Sequence, residues 1–129
     1  MIAVDTNILV RAILGDDPRQ SPIARKAIEN ARDILVPITV LIELAWVLKS
    51  VGWTRVRIHR ALGILALQPT VHLDRSAEVL AALEDFKSGP ADFADYLALR
   101  QAKALGARKL LTFDRKLANA PGAERLVRP

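Results

Sequence analysis

A chain of 129 residues, 51% of them apolar, is long enough for one domain with a substantial core and too short for two. Its net charge of +5, with thirteen Arg among nineteen basic residues, favours a polyanionic partner, because the guanidinium fork grips phosphate in two places. The lack of Cys excludes disulfides and thiolate metal sites, and no apolar run could span a bilayer. The expectation is therefore a cytoplasmic protein without a membrane partner, with Met1 inside the folded unit.

In chain order, residues 2–5 read as a short strand buried within a sheet and ending in Asp5. Residues 6–14 read as a helix capped by Asp5 or Thr6 and broken at Gly15-Asp16-Asp17-Pro18. A second helix is expected over 18–32, with Ile23, Ala24, Ala27, Ile28 and Ala31 on its apolar face. Ile34-Leu35-Val36 is a short strand closed by Pro37. It is followed by a very apolar helix over 39–51 that ends near Gly52, then a basic helix over 54–67 capped by Thr54.

Val71-His72-Leu73 is a third strand, ending in Asp74. Helices over 76–87 and 92–105 follow, separated by Ser88-Gly89-Pro90, and Gly106 is expected as a left-handed C-cap. Strand 109–112, a short helix over 114–118 and a last strand over 124–127 complete the chain. Strands alternating with helices imply an α/β fold: a single domain over 1–129, with a mostly parallel central sheet and helices on both faces.

Ligands of open α/β sheets bind beyond the carboxyl ends of strands, and two acids lie there: Asp5 and Asp114. Each can equally be a helix N-cap. Glu43 is harder to explain structurally. It is the only charged residue from Val40 to Leu48, and Ile42, not an acid, lies three residues after Thr39, so no capping box accounts for it. Buried without partners, such a carboxylate would be strongly destabilising, so a cation is expected beside it, either an Arg or a metal ion.

In Pro-Ala-Asp-Phe-Ala-Asp-Tyr, Asp92 and Asp95 stand three apart on one helix. Both suit the first turn of that helix. In projection Phe93, Ala94, Leu97, Ala98 and Leu105 form the buried arc, with Asp95 at its edge and Asp92 in the polar arc, which makes Asp95 the better site candidate. Clustered carboxylates repel one another and are tolerated around a divalent cation. Oxygen-only ligation suits Mg²⁺ or Mn²⁺, since only His59 and His72 could serve softer metals. A basic protein with an acidic metal pocket suits phosphodiester cleavage.

Taken together, the strand ending in Asp5-Thr6-Asn7, Glu43 on an apolar helix, the Asp-Phe-Ala-Asp-Tyr-Leu-Ala segment and Thr112-Phe113-Asp114 resemble PIN-domain proteins over essentially the whole chain. Length and motif order are similar to the VapC toxins of bacterial VapBC pairs. The resemblance implies a Mg²⁺- or Mn²⁺-dependent endoribonuclease acting on tRNA or rRNA, with Asp5, Glu43, Asp95 and Asp114 as metal-binding catalytic acids. Thr6, Asn7, Asp92 and Thr112 would support them. It also implies a homodimer and a small VapB-type antitoxin. Many relatives carry a further acid soon after the one at 114, where this chain has Arg115 and Lys116, which argues against a second tightly held metal.

Arg11, Arg100 and Arg115, near the acids in sequence, are candidate RNA contacts. Trp46, Val47 and Leu48 around Glu43 suggest more apolar surface than one small domain covers, in keeping with a dimer. Two rival readings stand beside the enzyme. One is a non-catalytic binding module using the basic helix with Arg55, Arg57, His59 and Arg60, and the other a metal-independent ribonuclease using His59 and His72. Phosphoryl-transfer domains fit poorly: there is no Gly-rich phosphate loop, and Asn7 stands where a dehalogenase-like site would want a second Asp.

Overall fold

Three of the short apolar runs pair side by side. β1 (Ile2–Ala3), β2 (Ile34–Val36) and β3 (Val71–Leu73) form a parallel sheet in the order β1-β2-β3, with Ile2 opposite Ile34 and Ile34 opposite Val71. The computed structural model describes residues 1–127, and the chain divides into two compact units, Met1–Ser76 and Ala77–Pro129.

In the first unit the central strand carries the core, with Ile34 and Val36 each 1% exposed. β1 differs from the expected buried strand: it has one neighbour in this sheet, Ile2 is 49% exposed, and burial begins only at Val4. Parallel neighbours require crossovers, here helical. α1 (Thr6–Leu14) and α2 (Gln20–Asn30) join β1 to β2, while α3 (Ile38–Ser50) and α4 (Arg55–Ala66) join β2 to β3.

The inward face of α2 departs from the expected one. Ser21 and Ala24 are buried and Ile28 half-buried, whereas Ile23 is 70% exposed and Ala27 also faces out. The cause lies at the helix entry. Asp17 Oδ1 accepts from the backbone N–H groups of Arg19 (2.9 Å) and Gln20 (2.7 Å), and the Ser21 hydroxyl accepts from Asp17 N–H at 3.2 Å. With its hydroxyl satisfied, Ser21 can be buried at little penalty, and the 21-24-28 strip turns inward.

On α3 the buried strip is Val40, Leu41, Leu44 and Leu48, each at most 8% exposed. Leu48 therefore belongs to the core, contrary to its expected place in an outward apolar patch, while Trp46 is 68% exposed. The helix closes in a Schellman turn, with Trp53 N–H donating to Leu48 O and Gly52 N–H to Lys49 O, and glycine supplies the positive φ of 94°. Thr54 caps α4 as expected, accepting from Arg57 N–H at 3.2 Å.

The second unit contains α5 (Ser76–Ser88) from its second residue on, α6 (Phe93–Ala104) and the parallel pair β4 (Leu110–Thr112) and β5 (Ala123–Arg125), with Leu110 opposite Ala123. Phe86 and Phe93 meet edge to face at 6.3 Å beside buried Val79, Ala82, Leu83, Tyr96, Leu97 and Leu99. The buried arc of α6 is thus Phe93, Tyr96, Leu97 and Leu99; Ala98 is exposed and Leu105 is 73% exposed, outside the arc expected of them. α6 ends as expected at Gly106, φ 87°, with Ala107 N–H donating to Ala102 O. The expected helix over 114–118 is a turn that leads into one 3-10 turn at Leu117–Asn119. Among the described residues, no helix is long and apolar enough to cross a membrane.

Candidate active site

Asp5 leaves the sheet with φ −92° and ψ 176°, extended geometry that lets its Oδ1 accept from Ile8 N–H at 3.3 Å and cap α1. The capping reading is therefore real, and it uses one carboxylate oxygen. The next residue links two elements: Thr6 Oγ1 donates to Glu43 Oε2 at 3.0 Å, across 37 residues of sequence. Glu43 is exposed on α3, so the expectation of a neighbouring cation, which rested on burial, gives way to a solvated carboxylate oriented by a hydroxyl. Thr6 and Glu43 together anchor the start of α1 to the outward side of α3.

Asn7 is exposed in the first turn of α1. Beside it a cavity of about 380 Å³ is lined by Asp5, Asn7, Ile8, Arg11, Gln20 and Ile23, among others. Arg11 Nε donates to Gln20 Oε1 at 2.8 Å, and Arg11 Nη1 stands 3.9 Å from Asp16 Oδ1. Gln20 was not singled out from the sequence. The spacing from Asp17 to Gln20 is that of a capping box, which would send the Gln side chain back to the cap. Ser21 takes that role here, and the Gln20 amide turns to Arg11 instead.

In the second unit, Asp92 begins α6 by its backbone (φ −75°, ψ 156°), its carbonyl accepting from Asp95 and Tyr96 N–H, but its carboxylate does not cap the helix. Asp92 is exposed and Asp95 half-buried, the order that the helical projection gives. Asp114 is held locally at both ends. Its N–H donates to Thr112 Oγ1 at 3.0 Å, and its Oδ1 accepts from Leu117 N–H at 2.9 Å, capping the turn. Arg115 and Lys116 beside it are exposed.

Arg100 is tied to α5: its Nε and Nη2 each lie 2.7 Å from an oxygen of Asp85, and this two-point bond raises the guanidinium further above its ordinary pKa. His72 Nε2 lies 2.8 Å from Asp33 Oδ1. Arg57 stacks over Trp53, 3.8 Å from the ring centroid.

Among the described residues, no three His, Asp or Glu side chains are gathered as a ready set of metal ligands. The chemistry of the donors in the first unit nonetheless suits a hard divalent cation. Asp5 and Glu43 are both exposed, both offer oxygen, and Thr6 couples Glu43 to the turn that carries Asp5.

No curated protein matches the chain. Among solved structures, it is similar to VapC20 of Mycobacterium tuberculosis, described as a sarcin–ricin loop cleaving toxin, with 19% identity, all of both chains covered and a TM-score of 0.49. The family model of the PIN domain matches residues 2–123, a span that contains every acid considered above. The chain belongs to the PIN domain family.

Proposed function

We propose that this protein is a metal-dependent endoribonuclease, the toxin of a type II toxin–antitoxin pair, acting on tRNA or rRNA in the cytoplasm. PIN-family membership supports this, and so does the resemblance of its acidic motifs, in their order, to VapC toxins. The observation that carries it is the Thr6–Glu43 hydrogen bond. A solvated acid on an apolar helix contributes little to folding, yet a hydroxyl from the Asp5 turn orients it. A non-catalytic binding module gives no reason for that arrangement, whatever its basic helix does.

Asp5, Glu43, Asp95 and Asp114 are the acids on which cleavage depends in this reading, with Thr6, Asn7, Asp92 and Thr112 in support. Each is an oxygen donor of the kind that holds Mg²⁺ or Mn²⁺, which when bound activates water and stabilises charge on the phosphodiester. The chain's own residues fix the carboxylates. Thr6 orients Glu43, the α1 cap directs one oxygen of Asp5, and Thr112 with Leu117 N–H directs Asp114. Arg11 and Arg115 contribute positive charge for the RNA backbone.

A VapB-type antitoxin and a homodimeric state complete the proposal, supported by Trp46 and Val51, 68% and 53% exposed at α3 and its end. Sequencing RNA 5′ ends after brief induction tests the activity. Discrete new ends in tRNA or rRNA with the wild type, absent with Asp5→Asn, are expected; identical ends with both proteins would refute it.

A further inference from the structure

We propose that the cavity beside Asp5 is a nucleobase pocket in which Gln20 and Arg11 read a base edge carrying two adjacent acceptors, as the N7/O6 edge of guanine does. This rests on the nuclease reading and adds to it the base preference next to the cut.

The cavity, about 380 Å³, lies within the size range of small-ligand clefts and is entirely built by α1, α2 and the turn that carries Asp5. Its walls combine Ile8, Ile23 and Ala24 with the polar groups of Asp5, Asn7, Arg11 and Gln20, the pairing of apolar face and polar edge that a base presents. Ile23 is 70% exposed, an apolar side chain the core leaves unused because the 21-24-28 strip faces inward. It lines this cavity instead.

The polarity of the reading groups follows from donor chemistry. A guanidinium has donors only, so the Gln20 amide must turn its oxygen toward Arg11 Nε, as the 2.8 Å bond records. That leaves the Gln20 NH₂ as a donor. The terminal nitrogens of Arg11 are donors too, with Asp16 Oδ1 standing 3.9 Å from Nη1. Two donors on neighbouring side chains match two acceptors in a row. Guanine offers N7 and O6, whereas adenine sets the N6 donor beside N7 and is rejected. Asp17 and Ser21 pin the start of α2 from which Gln20 projects, so the amide is held from its backbone as well as from Arg11.

The test is an NMR titration of the whole protein, in EDTA so that the ligand phosphate cannot bind through a metal ion, with GMP, 7-deaza-GMP and AMP. GMP should shift the Gln20 side-chain amide and the Ile8 and Ile23 methyls, and bind about tenfold more tightly than either analogue. In Gln20→Ala the three ligands should bind alike. Equal affinities for the wild type, or shifts confined to other residues, overturn the assignment, and this comparison needs no variant to fold. Cleavage of a random-sequence RNA pool separates the two readings. No cutting at all sinks the nuclease proposal, while cutting without a guanine bias beside the cut, or with a bias that survives Gln20→Ala, sinks only the pocket.

Discussion

The Thr6 hydroxyl reaches Glu43 Oε2 at 3.0 Å, so the turn that ends β1 and the apolar helix α3 share one polar contact. Removing the hydroxyl while keeping the shape separates its role from packing. Thr6→Val should lower stability by about 0.5–1.5 kcal/mol and reduce RNA cleavage, while Thr6→Ser retains both. Chemical denaturation and initial cleavage rates measure the two effects. Full activity in Thr6→Val would show that orientation of Glu43 is unimportant.

Asp92 and Asp95 stand on one turn of α6 but differ in burial. Asp95→Asn should lower cleavage about a hundredfold, on the order of 3 kcal/mol of transition-state stabilisation. Asp92→Asn should cost less than about fivefold, on the order of 1 kcal/mol. Equal losses at the two positions would contradict the assignment.

Asp114 has a structural job as well, since its carboxylate caps the turn at Leu117. Asn caps as well as Asp, so Asp114→Asn should keep stability and lose activity. Asp114→Ala should lose activity and about 0.5–2 kcal/mol of stability besides. Thermal melts with activity assays on both variants check this; an active Asp114→Asn would leave only the capping role.

Much of this arrangement was legible beforehand because it is local. Strand ends followed by Asp, the Thr54 cap and the Gly52 and Gly106 stops follow from propensities within a few residues, and each of those caps and stops lies where the sequence puts it. The edge placement of Asp95 follows from helical periodicity in the same way. What was not legible depends on partners distant in sequence. Glu43 reads as buried because its neighbours are apolar, yet only tertiary packing decides which strip of α3 turns outward. The inward strip of α2 departs from the apolar pattern for a related reason, since apolar residues at 23, 24, 27 and 28 permit two faces and a satisfied Ser21 selects between them. No sequence pattern pairs Arg11 with Gln20 or Arg100 with Asp85.

The entry to α2 also has a pH signature. Backbone N–H donors of Gln20 and then Arg19 hold the Asp17 carboxyl below its ordinary 3.8. A depressed carboxyl contributes stability that is fully present above the unfolded value and is lost as pH falls through the folded one. The stability difference between wild type and Asp17→Asn should thus be constant above about pH 5 and shrink below 3.8. Melting curves over that range measure it, and a difference that grows on acidification would reverse the sign of the account.

Metal-dependent cleavage through the acids is the central claim, and purified protein incubated with cellular RNA tests it most directly. Wild type should cut in Mg²⁺ or Mn²⁺, stop in EDTA, and resume when Mn²⁺ is restored in excess, while Asp5→Asn and Glu43→Gln stay about a hundredfold slower throughout. Undiminished cleavage by the wild type in EDTA, lost instead in His59→Ala or His72→Ala, would contradict the account and point to metal-independent chemistry.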